Sequence, residues 1–308
     1  MSLAIEAEGL GRDYGDVRAL DALDLAVARG EMVGLLGPNG AGKTTAMLLL
    51  ATLLSPTRGR ARVFGHDVVG ERAAVRRRLG LLFQETSVDG LLTAEENLLF
   101  AARLAGLDGR LARAAVADAI GRTGLAERAR RPARELSGGW RRLLDIARAT
   151  LHHPDLLILD EPTVGLDPEH REAMWSLLDA HRREGTTVVF STHYLGEAET
   201  ADRVVLLAHG AVVAEDTPGT LRAELGDGIA EIEGPGAERL ARALRGLGSA
   251  RVVFRTGRGY RVGIAGEREP VIELAGKAPG IERFGLRPTS LEDVYFARTQ
   301  DAGEAAAR

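Results

Sequence analysis

The sequence predicts an α/β fold in which a largely parallel sheet is interrupted by a helical subdomain and followed by a second, smaller α/β domain. Three observations carry this reading. Short apolar runs bounded by glycine-rich turns fill residues 1–90 and return after residue 155. From about 91 to 150 the apolar residues shift to helical period. Beyond Gly226–Gly228, which reads as a linker, a new series of elements begins. The bounds that follow are 1–225 for the first domain, 226–300 for the second and 301–308 for a flexible tail. The chain has 308 residues, 45% of them hydrophobic, enough for a sizeable core.

Taken in order, "DALDLAV", "EMVGLLG", "RARVFG" and "LGLLFQ" read as strands. Thr93 with Glu96 makes a capping box, in which each side chain satisfies the other's free backbone N–H, before the helical "NLLFAARLAGL". "LARAAVADAIGRTGL" follows at the same period. Strands resume as "LLILD", "TTVVFS" and "RVVLLA"; between the first two lies a helix with Asp167 as N-cap and Pro168 at its first position. A short helix starts at Thr217–Pro218. The remainder reads strand "IAEIEG", helix "AERLARALRGL", strands "ARVVFRT" and "YRVGIAG" joined by a "GRG" turn, helix "EPVIELAGK" and strand "IERFGLR". That order, βαββαβ, is the split arrangement of ferredoxin-like domains. A last helix starts near Ser290.

Composition narrows the function classes. Net charge is −4, so no global basic field points to nucleic acid. The absence of cysteine excludes a disulfide framework, thiol catalysis and thiolate metal sites. "MSLAIEAEGLGRDYG" lacks the basic start of a signal peptide. The longest apolar run, Ala46–Ala51, is far short of the ~20 residues a membrane helix needs. The expectation is a soluble chain; if it serves a membrane, another subunit does the spanning.

"GPNGAGKT", Gly37 to Thr44, follows an apolar strand and precedes the apolar helix "AMLLLATLL", the context that a phosphate-binding P-loop requires. Glycines at 37, 40 and 42 let the N–H groups of Gly37, Pro38-flanked Asn39, Gly40, Ala41, Gly42, Lys43, Thr44 and Thr45 turn around phosphate oxygens. Lys43 reaches the β- and γ-phosphates of ATP, and the Thr44 hydroxyl serves Mg²⁺. "LLILDEP" ends a buried strand in two carboxylates: Asp160 for the magnesium shell, through water, and Glu161 as general base toward an attacking water. Gln84 closes "LGLLFQ" and His193 follows "VVFST", which places both at the carboxyl ends of parallel strands, near the γ-phosphate and its Mg²⁺. Tyr14 can stack on adenine or pack in the core. A second candidate anion cradle, "LSGGW" at Leu136 to Trp140, opens a helix but carries no lysine.

With these motifs in this order, residues 3–220 resemble the ATP-binding subunit of ABC transporters. The resemblance equates Tyr14 with the aromatic loop, Gly37–Thr45 with Walker A, Gln84 with the Q-loop, Leu136–Trp140 with the signature, "LLILDEP" with Walker B, Gly165–Asp167 with the D-loop and His193 with the switch histidine. It implies a head-to-tail homodimer, in which Ser137, Gly138 and Gly139 of one copy cap ATP held by the other's P-loop, with Asp167 at the seam. It further implies a separate membrane permease and a place on the cytoplasmic face of the membrane. The signature's usual fifth residue is glutamine; Trp140 stands there, either packed at the dimer seam or covering its own core. The small C-terminal domain and the ending "PTSLEDVYFA" are similar to the drug-export, daunorubicin-resistance branch, and imply export of a drug or other hydrophobic compound. The rival reading is an ABC ATPase acting on nucleic acid or ribosomes, but such chains carry two nucleotide domains or a long coiled coil. The arginine runs Arg76–Arg78, Arg128–Arg131 and Arg141–Arg142 read as solvated helix faces. The C-terminal domain reads equally as a dimer brace or regulator and as a structural cap.

Overall fold

The computed structural model describes residues 2–246, 250–257 and 259–306, with side chains to Thr299. Arg258 of the "GRG" turn, and residues 307 and 308 of the tail, lie outside the described residues. The chain forms two compact units, Met1–His193 with His209–Ala211, and Tyr194–Ala208 with Val212–Arg308.

In the first unit, β1 (Leu3–Tyr14) and β2 (Val17–Ala28) form a long hairpin, and β3 (Met32–Leu36) leads into α1 (Lys43–Leu50). β4 (Arg58–Val63), β5 (His66–Asp67), α2 (Arg72–Arg76) and β6 (Leu79–Leu82) follow. Next come α3 (Ala94–Leu104), α4 (Gly109–Thr123) and α5 (Gly138–Thr150), then β7 (Leu156–Leu159), α6 (Pro168–Arg183) and β8 (Thr187–Thr192). The parallel sheet runs β3-β8-β7-β6. β3, β7 and β8 are buried along their whole length, as strands covered on both faces must be, and this explains their unbroken apolar runs.

One expectation changes. A separate antiparallel sheet, β2-β1-β4-β5, stands beside the parallel one. β1 escaped notice because its pairing with β2 slips register repeatedly, which breaks the two-residue alternation that marks a strand.

The helical subdomain closes around Leu98, Ala102, Val116, Leu125 and Leu144. The Thr93–Glu96 capping box is present, and Asp167 caps α6 with Pro168 in its first turn.

The second unit contains α7 (Leu195–Ala198), adjacent strands β9 (Arg203–Ala208) and β10 (Ala211–Asp216), and α8 (Pro218–Leu225). β11 (Gly228–Glu233), α9 (Ala237–Gly246), β12 (Ala250–Thr256), β13 (Gly259–Ile264), α10 (Glu269–Lys277) and β14 (Arg283–Arg287) then follow in the order βαββαβ. Their sheet runs β12-β13-β11-β14, antiparallel throughout. α9 buries Ala237, Leu240, Ala241 and Leu244, the one apolar stripe of an otherwise charged helix. α11 (Leu291–Ala306) ends the described chain.

The "PTSLED" stretch is anchored by charge. Asp293, fully buried, accepts from Arg287 at 2.7 Å with both oxygens, from Arg261 at 3.1 Å and from the Ser290 amide at 3.0 Å. Burial alone raises this carboxyl, but the hydrogen bonds from Arg287 and Ser290 outweigh it and hold it below the ordinary carboxylate range. The same contacts raise the Arg287 guanidinium.

Asp293→Asn removes the buried charge that both arginines share and leaves them only the more exposed Glu231 and Glu292 as ion partners, so it should destabilise the protein by about 2–4 kcal/mol near neutral pH. The folded pKa is depressed, so this stabilisation is complete above the unfolded value of about 3.9 and is lost as pH falls through the folded one. Urea unfolding of both proteins should therefore show a gap that narrows only below about pH 4. A gap independent of pH would assign the effect to packing.

Candidate functional site

The P-loop connects β3 to α1. Gly40 and Gly42 adopt left-handed φ values of 81° and 102°. A side chain at Gly42 would also place its Cβ 2.8 Å from the Ala19 carbonyl, so both shape and space demand glycine there. α1 begins without a side-chain cap, which leaves its first-turn N–H groups and positive helix end to an anion. Lys43 is buried within the loop, and its Nζ donates to the carbonyls of Gly37 at 2.6 Å and Pro38 at 3.0 Å. Burial lowers its pKa, while Glu161 and Asp160 pull it back up.

Past the end of β7, Asp160 accepts from the Thr44 hydroxyl at 2.8 Å and from the Ser191 hydroxyl at 2.5 Å. Glu161 has φ 46°, a left-handed conformation that costs a non-glycine residue about 1–2 kcal/mol. Its amide donates to Ser191 Oγ at 2.9 Å, and its Oε1 lies 3.0 Å from His193 Nδ1. Ser191, the penultimate residue of β8, thus bridges the two acidic residues. The Thr44 hydroxyl and the Asp160 carboxylate are hard oxygen donors, suited to Mg²⁺. Among the described residues no group of three or more His, Cys, Asp or Glu is placed to hold a metal, so this pair fits a cation that completes its shell with water and phosphate.

A cavity of about 480 Å³ is lined by Val17, Arg18, Ala19, Asn39, Gly40, Ala41, Gly42, Lys43, Thr44, Thr45, Gln84, Asp160 and Glu161. Gln84 lies two residues past the end of β6 and is exposed, and His193 reaches the site through Glu161. Gly37 and Pro38 meet it through Lys43. Tyr14 does not line the cavity; it ends β1, 46% exposed, with the Arg12 guanidinium 4.8 Å from its ring centre. Ser137, Gly138, Gly139 and Asp167 do not line it either.

Those four form a second constellation. Ser137 is the N-cap of α5, accepting from the Trp140 amide at 3.4 Å. Asp167 caps α6, accepting from the His170 amide at 3.0 Å and lying 2.8 Å from His170 Nδ1; both contacts lower its pKa. The His170 ring packs on Gly139, where an added Cβ would fall 2.5 Å from it. Trp140 meets His170 edge-on at 5.1 Å, carries the Arg128 guanidinium at 4.0 Å and packs against the helical core of its own chain. His170 therefore joins the glycines of one helix start to the carboxylate of the other.

Arg142 corrects the reading of Arg141–Arg142 as a solvated face. It is 8% exposed, and its guanidinium donates to the carbonyls of Phe83 at 2.5 Å, Asp160 at 3.2 Å, Glu161 at 3.0 Å and Pro162 at 2.9 Å. Burial lowers its pKa, and Asp145 and Asp160 oppose that. Its position in "WRRLLDIARA" carried a signal: one turn after the helix start it shares a face with Gly139 and Ile146, both buried. Ser191 offered only its place at the end of a strand.

The model of the ABC transporter family matches residues 20–164. The chain is 42% identical, over 96% of its length and 92% of the relative's, to the daunorubicin/doxorubicin resistance ATP-binding protein DrrA of Streptomyces peucetius. It is 41% identical, over 97% of its length and 96% of the relative's, to the daunorubicin resistance ATP-binding protein DrrA3 of Streptomyces coeruleorubidus. Among solved structures, a dimeric post-hydrolysis ATP-binding cassette bound to ADP and phosphate superposes with a TM-score of 0.64 and 27% identity, over 69% of this chain and 98% of that one.

Gly139→Ala drives a methyl group into the His170 ring, and should destabilise the fold by about 1–3 kcal/mol. Adding His170→Ala should recover most of that loss in thermal unfolding, because the obstructing ring is gone. Additive losses in the double variant would show that the contact is not the cause.

Proposed function

This chain belongs to the ABC transporter ATP-binding family, and on that premise we propose that it hydrolyses ATP at a homodimer interface to drive a separate membrane permease. The nucleotide-binding domain is assigned to 1–225, the accessory ferredoxin-like domain to 226–300 and a tail to 301–308.

One observation carries the dimer: the P-loop cavity contains Lys43, Thr44, Gln84, Asp160 and Glu161 but not Ser137, Gly138 or Gly139. Two half-sites on one chain fit a head-to-tail pair, in which the Ser137 hydroxyl and the glycine N–H groups of one copy cap the γ-phosphate held by the other. The dimeric relative with ADP and phosphate supports the same arrangement. On binding, Lys43 exchanges the carbonyls of Gly37 and Pro38 for β- and γ-phosphate oxygens. Tyr14 stacks on adenine, and Asp167 faces the seam. Glu161 accepts a proton from the attacking water, whose oxygen bonds to the γ-phosphorus as the bond to the β-phosphate oxygen breaks and ADP departs. His193 holds the Glu161 carboxylate toward that water. Thr44, Gln84 and, through water, Asp160 would hold Mg²⁺, which would supply positive charge to the phosphates.

Among the described residues no helix is long and apolar enough to cross a membrane, so the transport path is assigned to the permease, with this chain on its cytoplasmic face. The names of the relatives support a drug or other hydrophobic compound as cargo. No nucleic acid takes part. The C-terminal domain braces the dimer or caps the fold; deleting 226–308 and measuring dimerisation separates the two roles.

Glu161→Gln removes the base while keeping its shape. It should still bind ATP, hydrolyse it at least about 100-fold more slowly and accumulate as an ATP-bound dimer in size-exclusion chromatography with light scattering. Turnover at the wild-type rate would end the assignment of the base. Replacing Ser137 by a bulky residue should abolish the dimer and the hydrolysis together.

A further inference from the structure

We propose that Arg142 is a positioning residue that couples the signature helix to the hydrolytic glutamate of its own chain, so that closure on one nucleotide licenses hydrolysis of the other. The inference rests on the dimer reading above and adds the part that transmits between its two pockets.

The argument starts from α5. Its first turn carries Ser137 and the glycines, which in the dimer touch the nucleotide bound to the partner copy. Just over one turn later the same helix inserts Arg142 between two loops that serve the nucleotide of its own chain. The guanidinium holds the Phe83 carbonyl, one residue before Gln84, and the carbonyls of Asp160, Glu161 and Pro162 around the catalytic carboxylate. A further turn along, Asp145, also buried, accepts from the Ser87 amide at 3.1 Å and its hydroxyl at 3.0 Å. α5 therefore grips the Gln84 segment on both sides.

A helix transmits a displacement of its end along its length, because its backbone hydrogen bonds resist shear. Glu161 is the element able to respond. Its left-handed backbone persists only while its surroundings hold it; the Ser191 hydroxyl accepts from its N–H, and its carbonyl accepts from Arg142 at 3.0 Å and, through a longer local turn, from the Val164 amide at 3.3 Å. When α5 shifts, Arg142 moves the carbonyl, the peptide rotates and the carboxylate leaves His193. Lysine cannot do the same work: a single ammonium reaches one loop, whereas the planar fork spans both.

The test uses the full chain with Arg142→Met and Arg142→Lys. Steady-state ATPase is measured against ATP concentration, and affinity is measured separately with a fluorescent ATP analogue. For Arg142→Met we expect kcat to fall about 100-fold, analogue affinity to stay within about twofold, and the Hill coefficient to drop toward one, since a misplaced base loses chemistry and not binding. Arg142→Lys should retain an intermediate kcat. The inference is overturned if Arg142→Met keeps its kcat, or if kcat and affinity fall by the same factor. Should Arg142→Met fail to fold, Arg142→Lys decides by the same split. The outcomes also separate from those of the parent reading. Full turnover by Glu161→Gln defeats the assigned base itself; an inactive Glu161→Gln beside a fully active Arg142→Met defeats only the coupling.

Discussion

Parallel strands run out of hydrogen-bond partners at their carboxyl ends, and the candidate catalytic groups of this chain sit just past that edge. The carbonyls of Phe83, Asp160, Glu161 and Pro162 leave the β6 and β7 ladders there, Asp160 and Pro162 buried and Phe83 and Glu161 half-buried. An unpaired buried carbonyl costs about 1–3 kcal/mol, and only the Glu161 carbonyl has a local donor, the Val164 amide at 3.3 Å, among the backbone bonds described. Arg142 donates to all four, and the Ser191 hydroxyl supplies the matching acceptor to the Glu161 amide. The chemistry is built on the solution to a backbone problem. Asp160 and Glu161 are adjacent in sequence yet point to different tasks because the peptide between them is turned and pinned by these contacts.

The two anion cradles differ for the same kind of reason. At the P-loop, glycines bend the backbone around a lysine that needs a destination for its charge, and the loop's own carbonyls hold it ready. At Ser137 there is no cation, only a capped helix start whose glycines leave room for a close neighbour. Part of that room is taken by His170, which lies on Gly139 while bonding Asp167. The signature and the loop after Walker B are thus packed on one another within the first unit, through His170.

What could be read in the sequence follows from how local each feature is. The P-loop, the capping box at Thr93 and the Asp167–Pro168 helix start are specified by neighbours along the chain, and each was legible to the residue. The parallel strands were legible because burial on both faces writes itself as an apolar run. β1 and its antiparallel sheet were not, since register slips erased the alternation. Among the candidate site residues, those with a motif could be named in advance. Ser191 and Arg142 act through the third dimension: one crosses from β8 to β7, the other reaches 20 residues along the chain to Pro162. A charged residue beside another charged residue on a helix reads as solvated unless the face it occupies is counted.

Of the 40 basic residues all but Lys43 and Lys277 are arginine, so in this chain lysine is the exception that needs a reason. The reason at position 43 is geometric. A compact ammonium on a flexible stem fits inside the loop and donates to the carbonyls of Gly37 and Pro38, where a planar guanidinium would have to turn its whole plane to change partners. Five residues past Ser137 the requirement is reversed. Carbonyls on two separate loops must be held in fixed relation by one side chain, and only a rigid fork with five donors can do that without conformational freedom left over. The same compositional habit that makes arginine unremarkable across the surface therefore conceals a position where its shape is required.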